Sequence, residues 1–533
     1  MANKISGSYA IVVNPGTEVN KHGKNIAKKA AVVAGATLIS RLLGFVRDVI
    51  VAFALGAGMF ADAFFVAFRI PNLLRRLFGE GSLTMAFIPV FSRIMEEEGE
   101  EAAQAMARSA MIWLCVILGC ITLLVELSAG PLTMIIAPGF LDNSVQFQAT
   151  VELIRICFPY VIFICGVALC MGILNARDHF LSPALAPVVL NISLIGAALI
   201  GYFFGLNVAY SMAYGVLAGG VGQLLLQQPF LFSSGFRWKG GWSWRNQGVA
   251  RMGMLMLPTV FGAAVYQINI LLGTLLASYL PVGSVSYLYY ADRLVQFPLG
   301  VFGIAVSTAA LPSLAKLAAR GEMEEFDGAL SVSLALTLFI ALPSAAGLIG
   351  LANPVIGLLF ERGAFSAEAV SATAQALVAY SIGLPFIALA RPLVAGFYAL
   401  EDTRTPVRVA VLCLLSNVGL GIFLMQSLAH VGLALAVSLS SFLNFICLYV
   451  LLVQKRGRGL IGLGMVVKSV MLSLIVGVGA FLTAVWHPWW LALIPFWCVF
   501  YIGAGHMLGM QEARLLTGLV ATRIRRRKKV REG

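Results

Sequence analysis

The chain has 533 residues, 60% of them hydrophobic and only 11% charged, with a mean hydropathy of +0.91. Soluble domains carry about 25% charged residues, so this composition excludes a soluble protein and points to an all-α integral membrane protein. The net charge of +13 does not call for nucleic acid, because the surplus lies mostly in loops and termini, where it sets orientation in a bilayer.

Residues 1–29 form a polar, basic N-terminal extension, expected to be a disordered cytoplasmic tail with no removable signal peptide. About fourteen apolar spans follow, near 31–55, 61–92, 107–129, 150–175, 182–204, 208–232, 250–279, 284–315, 328–351, 370–399, 407–427, 430–453, 466–486 and 489–511. In the first span Thr37, Ser40, Arg41, Gly44, Arg47 and Asp48 fall within an arc of roughly 120° at 100° per residue. Val33, Ile39, Leu42, Val46, Ile50 and Phe53 lie opposite. A charge at mid-bilayer costs on the order of 2.5–3.5 kcal/mol even on the mildest scale. Two arginines on one face must therefore meet water, a partner or an anionic ligand.

In the second span Asp62, Arg69, Arg76 and Glu80 share a face, with Asn72 at its edge, and Arg75 points elsewhere unless Pro71 turns the later part. Pro71, Pro89, Pro298 and Pro312 are expected to break or kink their helices. Glu96, Glu97, Glu98, Glu100 and Glu101 then form a solvated acidic run. The linker 234–249 is basic and Trp-rich and reads as an amphipathic helix lying in the inner headgroup layer. Asp292, Arg293 and Gln296 are the polar contribution of the eighth span. Arginines exceed carboxylates in this set, and a guanidinium fork suits phosphate, so the ligand expected is anionic and phosphorylated. A purely structural ion-pair network is the competing account of Arg47 and Asp48.

Lys and Arg concentrate after even-numbered spans, as at Arg93, Arg177, Arg237, Lys316, Arg404 and Lys455, which predicts both termini cytoplasmic. The chain also repeats itself. Pro89 to Pro312 is an offset of 223, Arg69 to Arg293 is 224, and Pro159 to Pro385 and Asn191 to Asn417 are both 226. A shared offset spanning six helices predicts two six-helix lobes in parallel orientation with substrate between them. The expected units are 30–233 (first lobe), 250–454 (second lobe), 465–512 (two further helices) and a basic cytoplasmic tail at 513–533. Eight Cys and five His show no ligand or disulfide spacing, so no metal site, catalytic cluster or cofactor is expected.

The runs S-R-L-L-G-F-V-R-D at 40–48, G-A-G-M-F-A-D-A-F-F-V-A-F-R-I-P-N-L-L-R-R-L-F-G-E-G at 56–81 and Y-Y-A-D-R-L-V-Q-F-P-L-G-V at 289–301 strongly resemble the MurJ (MviN) lipid II flippases of the MOP transporter superfamily. That resemblance implies fourteen helices, a cationic cavity open alternately to the two sides, and a bacterial inner-membrane location. The implied cargo is lipid II, the undecaprenyl-diphosphate-linked peptidoglycan precursor. Arg41, Arg47, Arg75 and Arg293 would bind substrate and Asp62 would be the functional acid. Asp48, Arg69, Arg76, Asp292 and Gln296 would support the cavity. Gln296 stands where some relatives carry Glu, which removes any role for that acid. The last two helices would hold the polyprenyl tail. Membrane lipids are the other implied partners, no nucleic acid is, and a cell-wall synthesis complex and the oligomeric state stay open. Membrane potential or a coupling ion is left open as the energy source, with no site assigned.

The nearest alternatives are another lipid-linked oligosaccharide flippase or a multidrug exporter of the same superfamily. A cation exporter would need acidic cavity residues. An enzyme acting on polyprenyl phosphates would need a carboxylate pair for metal or a nucleophile, and the chain shows neither. A non-transporting scaffold would not require so many intramembrane arginines.

Overall fold

The computed structural model describes residues 15–300, 304–486 and 490–518, with side chains placed for all but 15–32, 78–81, 259, 261–266, 304, 305 and 309 of these. Every regular element among the described residues is helical. Helix α1 (Pro15–Leu55) starts inside the N-terminal extension, so residues 15–29 continue the first span rather than forming a disordered tail. Next come α2 (Met59–Leu74), α3 (Leu83–Glu97), α4 (Glu100–Ile136), α5 (Ser144–Cys157), α6 (Tyr160–Ala176), α7 (Leu181–Phe203) and α8 (Val208–Ser233). These pack into a first lobe, with α1 on α7, α7 on α8 and α6 between α3 and α8.

The second lobe comprises α9 (Gln247–Ser278), α10 (Ser284–Pro298), α11 (Ile304–Arg320), α12 (Met323–Gly350), α13 (Ala352–Phe360), α14 (Ala367–Ala399) and α15 (Arg404–Arg456). Helix α15 is two helices joined at Ala429, whose φ of 47° and ψ of −130° are not helical. The last pair, α16 (Leu463–Trp486) and α17 (Trp490–Met507), packs through α16 onto α12. Nine helical stretches among the described residues are long and apolar enough to cross a membrane. The count falls short of fourteen partly because α2, α3, α10 and α11 are each under eighteen residues. Length and composition alone do not decide the number of crossings.

Those short helices are the halves of two broken spans. Residues Arg75–Ser82 between α2 and α3 form a π-helix, and a π-helical turn begins again at Leu299 after α10. Arg75 and Leu299 are 224 residues apart, the offset of the sequence repeat. In each copy the break follows a proline, Pro71 or Pro298, which removes a backbone donor and disturbs the regular ladder. The two lobes therefore repeat a local distortion as well as a sequence pattern.

The lobes meet tightly at one end. Ala364 N donates to Phe53 O at 2.9 Å and Tyr290 Oη to Gly56 O at 3.2 Å. Gly139 N donates to Ser278 Oγ at 3.1 Å. A Cβ on Gly139 would lie 2.3 Å from the Ser278 carbonyl oxygen, and one on Gly363 2.4 Å from that of Phe53. Backbones touch there because no side chain intervenes.

The linker between the lobes differs from expectation. No helix runs through 234–246. Buried Arg108 of α4 instead donates to the carbonyls of Arg237, Lys239 and Gly241 at 2.8–3.2 Å and pairs with Glu101. Gln104 Oε1 accepts from Arg237 N, and Ser109 Oγ from Ser243 N. Three carbonyls fixed on one guanidinium hold the segment as a non-helical strap of turns and bends, and Gly240 lies too close to Arg108 for any side chain. The strap delivers α9 to α3 and α4 before that helix crosses to α15 in the second lobe.

Candidate functional site

A cavity of about 970 Å³ lies between the lobes. It runs from Val285 and Leu433, behind the sealed seam, to Tyr398 and Val407, which are exposed at the opposite end. Arg177 pairs with Glu100, Lys455 with Asp402, and Arg456 with Asp327. These pairs fix cation-bearing loop and helix-end residues within each lobe, and Arg404 lies two residues after Asp402.

Asp48 is the centre of the charged wall. It is 5% exposed, and Arg47 grips its Oδ1 through Nε at 3.0 Å and Nη2 at 2.7 Å. Arg293 of the other lobe approaches Oδ2 at 3.6 Å. Arg47 Nη1 donates to Asn191 Oδ1 at 3.0 Å, which ties α1 to α7. Tyr289 Oη donates to Asp48 Oδ1 at 3.4 Å and accepts from Arg293 Nη2 at 3.2 Å, while the Arg293 guanidinium lies 4.8 Å above the Tyr289 ring. That ring stacks on Phe65, with centroids 3.9 Å apart. Packing thus fixes the position of Arg293, and one carboxylate faces two permanent cations from different lobes.

Arg69, Arg75, Arg76, Asp292 and Gln296 also line the cavity. Arg75 joins Arg76 there because the π-helical stretch starts at Arg75, and i→i+5 bonding rotates residues less per step than an α-helix does. Asn72 Oδ1 accepts from Arg75 Nε at 3.1 Å and Nη2 at 3.0 Å. Gln296 Nε2 reaches Asp292 Oδ1 at 3.4 Å. Arg69 Nε is buried with no hydrogen-bond partner among the described residues. Glu80, expected on the same face, has a side chain outside the described ones.

Two expected members stand elsewhere. Arg41 is not among the lining residues; its guanidinium sits against Gly300, where a Cβ would come within 3.0 Å of Nη1. It spans the lobes at their edge, from α1 to the break after α10. Asp62, expected on a face with Arg69 and Arg76 and as the functional acid, has no arginine among its hydrogen-bond partners. It accepts from Gly283 N at 2.6 Å, Ser286 N at 2.8 Å and Ser286 Oγ at 2.6 Å. It therefore caps the N-terminus of α10 from the other lobe, where a carboxylate meets free amides and the helix dipole.

Arg391 of α14 lines the cavity and was missed. The signal was available, since it is a lone cation inside an apolar span. The lining then holds six arginines, 47, 69, 75, 76, 293 and 391, against Asp48 and Asp292. The neutral groups Gln267, Asn269, Asn444 and Ser441 were also missed, because uncharged polar residues in a span carry no comparable energetic flag. Among the described residues no cluster of His, Cys, Asp and Glu is able to hold a metal.

One family profile, described as Lipid II flippase MurJ, matches residues 51–501. The chain belongs to the lipid II flippase MurJ family. Relatives described as probable lipid II flippase MurJ include one from Vibrio cholerae, 38% identical over 80% of this chain and 82% of its own length. Another, from Rhizobium meliloti, is 39% identical over 82% of each. The lipid II flippase MurJ of Burkholderia cenocepacia is 36% identical over 81% of this chain and 84% of its own. Among solved structures, an inward closed lipid II flippase MurJ aligns with a TM-score of 0.77 and 27% identity, over 90% of this chain and 98% of that one. A MATE-family multidrug transporter of the MOP superfamily shares the fold, with a TM-score of 0.67 at 15% identity, over 80% of this chain and 98% of that one. The MurJ family consists of transporters, not catalytic enzymes. Its profile begins just after Arg47 and Asp48, so those residues are read from their geometry.

Proposed function

We propose that this chain flips lipid II from the inner to the outer leaflet of the bacterial inner membrane, with the diphosphate bound by cavity arginines. The observation that carries this reading is Asp48 held between Arg47 and Arg293. An incoming diphosphate competes with that carboxylate for both guanidiniums and thereby bridges the lobes more strongly than Asp48 alone. Arg69, Arg75 and Arg76 extend the anion path toward the open end. Arg41, at the lobe edge, meets cargo on entry rather than in the cavity.

The positive-inside pattern makes the open end and both termini cytoplasmic, so the arrangement is the loading state. Rocking of the lobes closes this end and parts the seam at Gly139 and Gly363. The prenyl tail stays in the bilayer against α16 and α17. A ligand drives such a change only through different affinity for the two states, and the lobe-bridging arginines supply that difference. The balance of arginines over carboxylates favours this cargo over that of a cation exporter.

The test is flipping in reconstituted vesicles, read as access of an external enzyme to labelled lipid II. Arg47→Ala and Arg293→Ala are expected to reduce the rate at least a hundredfold while the protein still purifies as a folded monodisperse species. Wild-type flipping by either variant would sink the proposal.

A further inference from the structure

The part of the cavity wall formed by α9 and α15 is neutral, yet it repeats the geometry of the charged one. In the first lobe Arg47 of α1 donates to Asn191 of α7 at 3.0 Å; in the second, Asn417 of α15 donates to Asn269 of α9 at 2.9 Å. Asn191 and Asn417 are 226 residues apart and Arg47 and Asn269 are 222 apart, close to the repeat offset. One position is thus a permanent cation in the first lobe and an uncharged amide in the second. The cavity-lining residues of α9 and α15 include no Asp, Glu, Lys or Arg.

Hydrogen-bonding capacity is left over on this wall. Asn417 Oδ1 is buried with no partner among the described residues. Ser440 and Ser441 each donate to the Val437 carbonyl, at 3.0 and 2.6 Å, which leaves both hydroxyl oxygens as acceptors. Asn444 follows at the next helical position on the same face and brings a donor and an acceptor. A diphosphate only accepts hydrogen bonds, so it gains nothing from Asn417 Oδ1 or the serine oxygens. Sugar hydroxyls, N-acetyl groups and peptide amides donate as well as accept. The cavity volume of about 970 Å³ also sits at the upper end of drug-sized ligand sites, roughly 300–1,000 Å³, far more than a diphosphate fills.

We propose that Asn417, Ser440, Ser441 and Asn444, with Asn269 and Gln267 beside them, form a second subsite for the uncharged saccharide and amide groups of the cargo. It is carried by α9 and α15, whereas Arg47 stands on α1 and Arg293 on α10. This subsite rests on the flippase reading above and adds to it the part of the cargo that sets specificity.

The experiment compares two probes on the full chain in nanodiscs, a short-chain prenyl diphosphate and the same lipid carrying an N-acetylated disaccharide. The wild type is expected to bind the glycosylated probe at least tenfold more tightly. Asn417→Leu/Asn444→Leu is expected to lose that preference, by about threefold to tenfold for each hydrogen-bonding group removed, and to bind the bare diphosphate as before. Asn444→Leu alone, at a partly exposed position, separates loss of the subsite from misfolding by showing part of the same selective loss. Equal weakening of both probes in Asn444→Leu, or an unchanged preference in the double variant, would overturn the subsite. A wild type that binds neither probe would overturn the flippase reading itself.

Discussion

Asp48 gives two arginines of different lobes a shared counter-charge, which on the proposed reading an anionic ligand replaces. Asp48→Asn removes the competitor while keeping the size of the side chain. Binding of a prenyl diphosphate is expected to tighten about fivefold to tenfold, roughly 1 kcal/mol, while turnover slows because the empty arginines lose their internal partner for the return step. Titration of the purified variant checks this, and weaker binding would make Asp48 a scaffold for Arg47 instead. Asp402 shows charge used for local structure. The Thr405 amide and then Lys455 push its carboxyl down to about 2. A depressed carboxylate stabilises the fold above its unfolded value near 3.9 and loses that effect as pH falls toward 2. Asp402→Asn is therefore expected to lower the melting temperature at pH 7, and the gap should narrow between about pH 4 and pH 2.

At the scale of elements, helices are joined here by single polar groups and by the absence of side chains. Arg108→Ala would leave three strap carbonyls without their donor, at a cost of about 2–4 kcal/mol. The expected result is a lower melting temperature with new proteolytic cleavage within 234–246. A strap held by its other contacts would stay protected. At the seam, Gly139→Ala places a methyl carbon where the Ser278 backbone now lies, so the sealed arrangement is disfavoured without any change in charge. Spin labels at Leu141 and Val282, both exposed beside the seam on opposite lobes, should report a longer mean distance in Gly139→Ala. The same distance distribution as in the wild type would mean that the seam tolerates a side chain there.

Over the whole molecule, two lobes sealed at one end and parted at the other enclose a cavity with a cationic wall and a neutral one. Its openness to the basic-loop side has a direct consequence. A cysteine introduced at Ala410, on the cavity lining near the exposed Tyr398 and Val407, should react with a membrane-impermeant thiol reagent in inverted vesicles. Added lipid II should slow that labelling. Labelling only from the opposite side would reverse the topology.

The sequence by itself determined a helical membrane protein with a parallel repeat and an arginine-rich polar set. Each follows from a local or additive quantity: apolar length, offset between like segments, and the cost of charge in lipid. It also carried the family, through the runs around Arg47, Arg75 and Arg293. Tertiary structure decided which members of the set share a space. Helical projection grouped Arg41 with Arg47, yet their side chains diverge to Gly300 and to Asn191, because long arginine side chains are placed by what surrounds them. It set Arg75 aside, but the π-helical break turned that residue inward, and break geometry is not encoded in a 100° rule. Helical projection put Asp62 on a face with Arg69 and Arg76, yet it caps a helix of the other lobe, 221 residues away at Gly283. The neutral wall at Asn417 and Asn444 was hidden for the complementary reason. An amide in a span is satisfied by one hydrogen bond and so flags less than a permanent charge does, and only its place on the lining of the same cavity gives it meaning.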